Sequence, residues 1–302
     1  MVKGEMMMKK RKIKDSVCLQ DKVMMAIIYI CLPMIFVITV YPFWQTVVLS
    51  ISDRKSAMEM GLHLWPKRIE ITAYLQILQS QSFWNSLKNS VVRCVIGTLA
   101  NLLIVSLTAY PLSKEDLPFK KGITWIFLFT MMFTGGLIPT YLVIKGLGLL
   151  NTVWALILPG VASAYNILIT RNFMKSIPSS LVESALIDGA GEFYIWMKII
   201  LPLSKPVLAT VALWVSVVQW NAYLDALIYM TDPDKYVLPV LLRRMLIDNQ
   251  SSMYVSDVEG LVSTEESVKS AMIIISTLPI VLVYPYVQKY FSKGVMLGAV
   301  KG

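Results

Sequence analysis

The chain has 302 residues, of which 56% are hydrophobic, and its mean hydropathy is +0.62. Soluble domains carry about 45–50% apolar residues, glycine included, so this composition excludes an ordinary soluble domain and implies a polytopic helical membrane protein. The net charge of +9 would suit nucleic acid, but its distribution along the chain gives it another meaning.

Residues 1–22 form a basic tail with Lys3, Lys9, Lys10, Arg11, Lys12, Lys14 and Lys22. The first apolar run, 23–50, is too long for a signal peptide and lacks a small-residue cleavage site. A polar outer loop occupies 51–83. A second span is expected over 86–110, with Arg93 snorkelling from one end, followed by the charged turn Ser113-Lys114-Glu115-Asp116. Gly135-Gly136 and Pro139 should kink the third span, 123–144. Asn151 is placed to cap the fourth, 152–170, which contains Pro159-Gly160. The fifth runs over 206–230 and the sixth over 268–291, with a C-terminal tail at 292–302. Runs of this length suit about 30 Å of hydrocarbon. The domain reading is therefore a tail (1–22), a first helix with its outer loop (23–84), a permease core (85–291) and a closing tail (292–302).

Six spans put both termini on one side. That side collects 17 of the 28 Lys and Arg, the other 8, with Lys88, Arg93 and Lys269 within or at the edges of spans. The positive-inside rule then places both termini and the 171–205 loop in the cytoplasm, and accounts for the charge with no nucleic-acid partner. Cys18, Cys31 and Cys94 have no ligand spacing, so no metal or disulfide is expected. His63 stands alone in a loop. No G-x-x-x-x-G-K-[ST] occurs, so the chain is expected to bind no ATP in a P-loop and to be no enzyme.

The polar segment from about 178 to 206, between two apolar ones, reads as helix, glycine turn, helix and proline stop. Its first helix has two candidate starts: Pro178 at a first helical position, and the capping-box spacing Ser180-x-x-Glu183. Gly189 suits a left-handed C-terminus, and the run Glu192 to Ile200 is expected to stop at Leu201-Pro202. In the fifth span, Trp214, Asn221 and Asp225 fall on one helical face. An aromatic beside hydrogen-bonding groups suits a sugar; a polar seam against a neighbouring helix is the competing reading. Asn101 and Asn166 are weaker candidates. The loop 231–267 carries seven acids and the patch Tyr236 to Met245, read as an exposed partner surface or, equally, as a self-packed lid.

The spacing Glu183-x-Ala185-x-x-Asp188-Gly189-Ala190, closed by Leu201-Pro202, resembles the EAA loop of ABC importer permeases, with Ser184 at the second motif position and Trp196 where relatives often carry Phe. Asn89-Ser90, Ser113 to Pro118, Gly135 to Thr140, Trp220-Asn221 and the ending Lys293 to Gly302 extend the likeness. Together they resemble the carbohydrate uptake family 1 permeases, the MalG-like partner, and the LplC/YtcP-type oligosaccharide subgroup. The resemblance implies an all-α, type I importer (MetI-like) fold whose EAA coupling helix docks on an ABC ATPase through Glu183, Ala185, Asp188, Gly189, Ala190, Leu201 and Pro202. It further implies ATPase contact by Gly298, Lys301 and Gly302. The implied partners are a second permease, two ATPase subunits that hold ATP and Mg, an extracytoplasmic solute-binding protein delivering oligosaccharide, and the lipid of a bacterial plasma membrane. The alternative is an ion-coupled secondary carrier. One carboxylate within the spans, Asp225, and no visible repeat weigh against it.

Overall fold

The computed structural model describes residues 19–59, 61–247 and 263–299. Among these the chain is helical and holds no strand, only an isolated bridge between Ser52 and Ile69. The first helix, α1 (Leu19–Ser50), is exposed over nearly its whole length. An apolar helix packed along the last helix of the chain and otherwise exposed belongs in lipid, where only internally satisfied backbone survives. Two short helices follow, α2 (Arg54–Met58) and α3 (Thr72–Gln79). The long α4 (Gln81–Ser113) begins at Ser80, whose hydroxyl accepts from the Phe83 amide.

Between α4 and the last helix the apolar segments are broken. The third is α5 (Lys120–Met132) and α6 (Leu137–Gly146), bent by 111°. Gly136 makes that break, at φ +84°. Pro139 falls in the first turn of α6, where its missing amide had no partner to lose, so it is not the kink expected of it. The fourth is α7 (Val153–Ile157), a 3₁₀ turn at Leu158–Gly160, and α8 (Ala164–Lys175), bent by 53°. Thr152, not Asn151, stands at the N-cap of α7.

The polar segment holds α9 (Ser179–Ile187), α10 (Glu192–Ile195), a π turn (Trp196–Ile200) and α11 (Leu201–Leu203). After it come α12 (Lys205–Asn221) and α13 (Leu224–Tyr229), then α14 (Leu238–Leu246). The last helix, α15 (Glu265–Ala299), runs through the region expected to be a tail. Gly298 lies within it, while Lys301 and Gly302 fall outside the described residues.

α1 and α4 are each long and apolar enough to cross a bilayer alone; three bent pairs raise the count to as many as five among the described residues. α4 is the hub, packing against α7, α8, α12 and α14. Tyr236, Val237, Leu238, Leu241 and Met245 are buried, so of the two readings of this patch the self-packed one holds and the exposed partner surface does not. Its apolar side chains lie on one face of α14, and that face meets α4 and α15.

Candidate functional site

α4 carries a polar stripe on which Asn89, Ser90, Arg93 and Asn101 each meet backbone left free where another segment breaks. Ser90 Oγ accepts from the Leu238 amide at 2.7 Å. Asn89 donates to the Asp234 and Tyr236 carbonyls. One turn deeper, Arg93 Nε donates to Gln219 Oε1 at 2.9 Å, and its Nη1 donates to the Ala222 carbonyl and to Asp225 Oδ1, both at 3.1 Å. Nη2 pairs with Asp225 Oδ2. Gly97 leaves room for Gln219: a Cβ there would lie 3.0 Å from Gln219 Nε2. Asn101 donates to the Val161 carbonyl at 2.8 Å, in the break between α7 and α8.

Nonpolar surroundings require these bonds. Backbone polar groups released at depth in a membrane must be met by protein, and a buried charge must be paired. Arg93 does not snorkel as expected; its side chain is 3% exposed and that of Asp225 31%. The arginine sits at the C-terminal end of α12 and the aspartate in the first turn of α13, each the sign the helix dipole favours. Asp225 Oδ1 also accepts from the Ala226 amide at 2.8 Å.

The stripe faces a cavity of about 620 Å³ lined by Arg93, Asn101, Tyr165, Asn166, Trp214 and Asp225, among others. The Trp214 and Tyr165 rings lie side by side, with centroids 5.9 Å apart. Asn101 is 1% exposed, and its Oδ1 accepts no hydrogen bond. Two of the three residues expected on one face of the fifth span, Trp214 and Asp225, therefore share this cavity. Asn221 does not line it; its amide turns back to the Val217 carbonyl at 2.8 Å. The helix ends between Asn221 and Asp225, so a spacing of four there no longer means a shared face. Arg93 is the residue that sequence reading missed. A lone arginine in an apolar run gives no sign of a partner 132 positions away.

The 178–206 segment is built on a Schellman turn. The Ala190 amide donates to the Ala185 carbonyl and the Gly189 amide to the Leu186 carbonyl, at 2.9 and 3.0 Å, with Gly189 at φ +79°. Neither expected start holds. Pro178 is the N-cap, with an extended ψ of 128°, and Ser180 already lies inside the helix. Glu183 is therefore past the first turn and caps nothing. The expected stop at Leu201-Pro202 is also displaced. The π turn, closed by the Leu201 amide on the Trp196 carbonyl, leads directly into α11, and the chain turns at the buried Ser204. Glu183, Asp188, Gly189 and Pro202 are exposed, while Ala185, Ala190 and Leu201 are half-buried. Leu186, Ile187, Phe193 and Tyr194 show apolar surface, Ile187 at 87%.

α4 reaches this segment too. Lys114, just past its end, pairs with Glu192, and the Tyr110 hydroxyl donates to Glu192 Oε2 at 2.7 Å. The Lys114 ammonium, then the Tyr110 hydroxyl, hold the Glu192 carboxyl below its ordinary pKa. A second cavity of about 610 Å³ opens here, with Lys114, Glu115, Lys175, Glu183 and Glu192 on its walls.

This helical membrane bundle is a permease of a transport system, a class shown by its family. The chain belongs to the family of inner membrane components of binding-protein-dependent transport systems, whose model matches residues 19–297. It is 41% identical over 280 residues to the polygalacturonan/rhamnogalacturonan transport system permease protein YtcP of Bacillus subtilis, covering 91% of this chain and 97% of that one. It is 39% identical over 266 residues to the protein LplC of the same organism, covering 88% and 90%. Among solved structures, a bacterial ABC transporter involved in the import of the acidic polysaccharide alginate matches with a TM-score of 0.83 and 30% identity, covering 91% of this chain and 98% of that one.

Proposed function

We propose that the chain is one of two permease subunits in an ATP-driven importer of oligosaccharides at the bacterial plasma membrane. A solute-binding protein delivers the sugar from outside. Two ABC ATPase subunits supply the driving force and hold the ATP and Mg; this chain binds no cofactor. The observation that carries the reading is the 41% identity, along nearly the whole chain, to a permease named for pectin-type saccharides. The likeness to the alginate importer supports it.

In this reading six spans leave both termini in the cytoplasm, and the 178–206 hairpin is the coupling element. Glu183, Ala185, Asp188, Gly189, Ala190, Leu201 and Pro202 form its motif, and the apolar surface of Leu186, Ile187, Phe193 and Tyr194 suits an ATPase cleft. Gly298, Lys301 and Gly302 reach the ATPase dimer from the C-terminus. Trp214 and Asp225 belong to the sugar pathway, through the cavity beneath α4.

The test is the reconstituted complex in proteoliposomes, with its binding protein and labelled trigalacturonate or trimannuronate. Uptake that requires ATP on the cytoplasmic side is expected. Uptake driven by a proton or sodium gradient without ATPase subunits would assign the chain to ion-coupled carriers, and uptake of neither probe would sink the substrate class. The topology is tested in a cysteine-free background: a cysteine at Leu62 should react with an impermeant reagent from outside, and one at Ser180 should not.

A further inference from the structure

Resting on that pathway reading, we propose that Arg93 is a positioning residue for transport: from α4 it holds the break in the fifth span and aims Asp225 at sugar in the cavity. Four hydrogen bonds run from one guanidinium. One meets the Ala222 carbonyl, freed where α12 ends; two meet the carboxylate that opens α13; the fourth meets Gln219 on the last turn of α12. The two sides of the break thus share one anchor outside themselves. Gly97 completes it by letting Gln219 approach α4.

The arrangement fixes what the cavity wall offers. The guanidinium is sealed behind its partners, while Asp225 is 31% exposed. Its Oδ2 has Arg93 as partner and keeps acceptor capacity. The wall therefore presents an acceptor whose charge is cancelled from behind. A sugar hydroxyl can donate to it, with the ring resting on Trp214 and Tyr165. Without Arg93 the carboxylate would carry an uncompensated charge at depth, and α13 would lose its fixed direction. Lysine cannot replace it, because one ammonium does not reach a carbonyl, an amide oxygen and two carboxylate oxygens in the planar fork that arginine supplies.

The experiment measures sugar moved per ATP hydrolysed in the reconstituted complex, with the labelled uronate trimer that the wild type takes up. This ratio does not depend on how much complex assembles, so a purely structural role would not move it. Arg93→Lys should lower it about fivefold, the effect of one or two lost hydrogen bonds, and Trp214→Ala, the pathway reference, should lower it as well. A loss with Trp214→Ala alone overturns the role of Arg93 and leaves the pathway standing. No loss with either variant overturns the pathway reading and this proposal with it. A loss with Arg93→Lys alone would place its action away from the cavity and also overturn the proposal. If Arg93→Lys does not assemble, Gln219→Met, which frees one side of the guanidinium and keeps the ion pair, is judged by the same ratio.

Discussion

Two ion pairs join α4 to distant parts of the chain in different surroundings, Arg93–Asp225 from within the helix and Lys114–Glu192 from just past its end. Arg93 is shut into the bundle and Asp225 opens only to the cavity, whereas Lys114–Glu192 lies at the surface, with the glutamate more than half exposed. Water decides what each is worth. An exposed pair is screened and contributes little. A buried one is neutral against a well-packed apolar replacement and costly only when half of it is removed. The inner pair therefore sets geometry, since nothing else can satisfy its charges. The outer pair trims the position of a hairpin that its own backbone already makes rigid.

The largest effect should come from breaking the inner pair on one side. Asp225→Ala leaves a buried guanidinium without its counter-charge, and a loss of about 3–5 kcal/mol is expected, read as a lowered melting temperature of the purified complex. Arg93→Met combined with Asp225→Leu should recover most of that loss. If the double variant is no more stable than the single one, the pair is not the buried, mutually dependent unit described above. Gly97→Ala comes next. Its methyl would sit 3.0 Å from Gln219 Nε2 and 3.1 Å from Cδ, and overpacking of this kind costs about 1–3 kcal/mol. A wild-type melting temperature would mean that Gln219 yields freely and does not hold Arg93.

Much of this architecture was readable from the residues. The apolar runs gave α1 and α4 to within a few residues of their ends, because a long apolar run needs no knowledge of its neighbours. Gly189 announced its turn, since a left-handed residue after a short amphipathic run is a local requirement. The breaks were only half legible. Gly135-Gly136 marked one, but the division of the fifth span at Ala222-Tyr223 has neither glycine nor proline. Its stability comes from Arg93, which lies 129 residues earlier than the carbonyl it meets. Periodicity reports which face a residue is on, never what stands opposite. The shared face expected of Asn221 was lost for that reason, and for the Tyr236 to Met245 patch the pattern left a partner surface and self-packing equally open until α4 and α15 decided for self-packing. The capping box at Ser180 failed locally, because Pro178 fixes an extended residue where the helix starts and carries the first turn past Ser180.

The hairpin allows the next test. At Gly189 an added Cβ meets nothing within 4 Å, so Gly189→Val acts through backbone strain alone, about 1–2 kcal/mol at φ +79°. The bundle should stay folded while the direction of the chain after α9 changes. The expected result is a complex of wild-type melting temperature that retains less ATPase subunit on purification. Full ATPase retention together with full sugar-stimulated hydrolysis would remove the hairpin from the coupling role.

The smallest effect belongs to the outer pair, and its sign with pH separates it from the inner one. Lys114 and Tyr110 favour the ionised form of Glu192, so its pKa in the folded chain lies below that in the unfolded chain. A depressed carboxyl contributes stability that is present above the unfolded value and is lost as pH falls through the folded one. Lys114→Ala should therefore cost below about 1 kcal/mol at neutral pH, less as salt is raised, and nothing once Glu192 is protonated in both states. Comparing the melting temperatures of wild type and Lys114→Ala at neutral and acidic pH, at low and high salt, checks this. A difference that persisted at low pH and in high salt would mean that Lys114 acts through its ammonium over the Tyr110 ring, 5.1 Å from the ring centroid, and not through the Glu192 carboxylate. The contrast between the two pairs would then set a buried carboxylate partner for Arg93 against an aromatic one for Lys114.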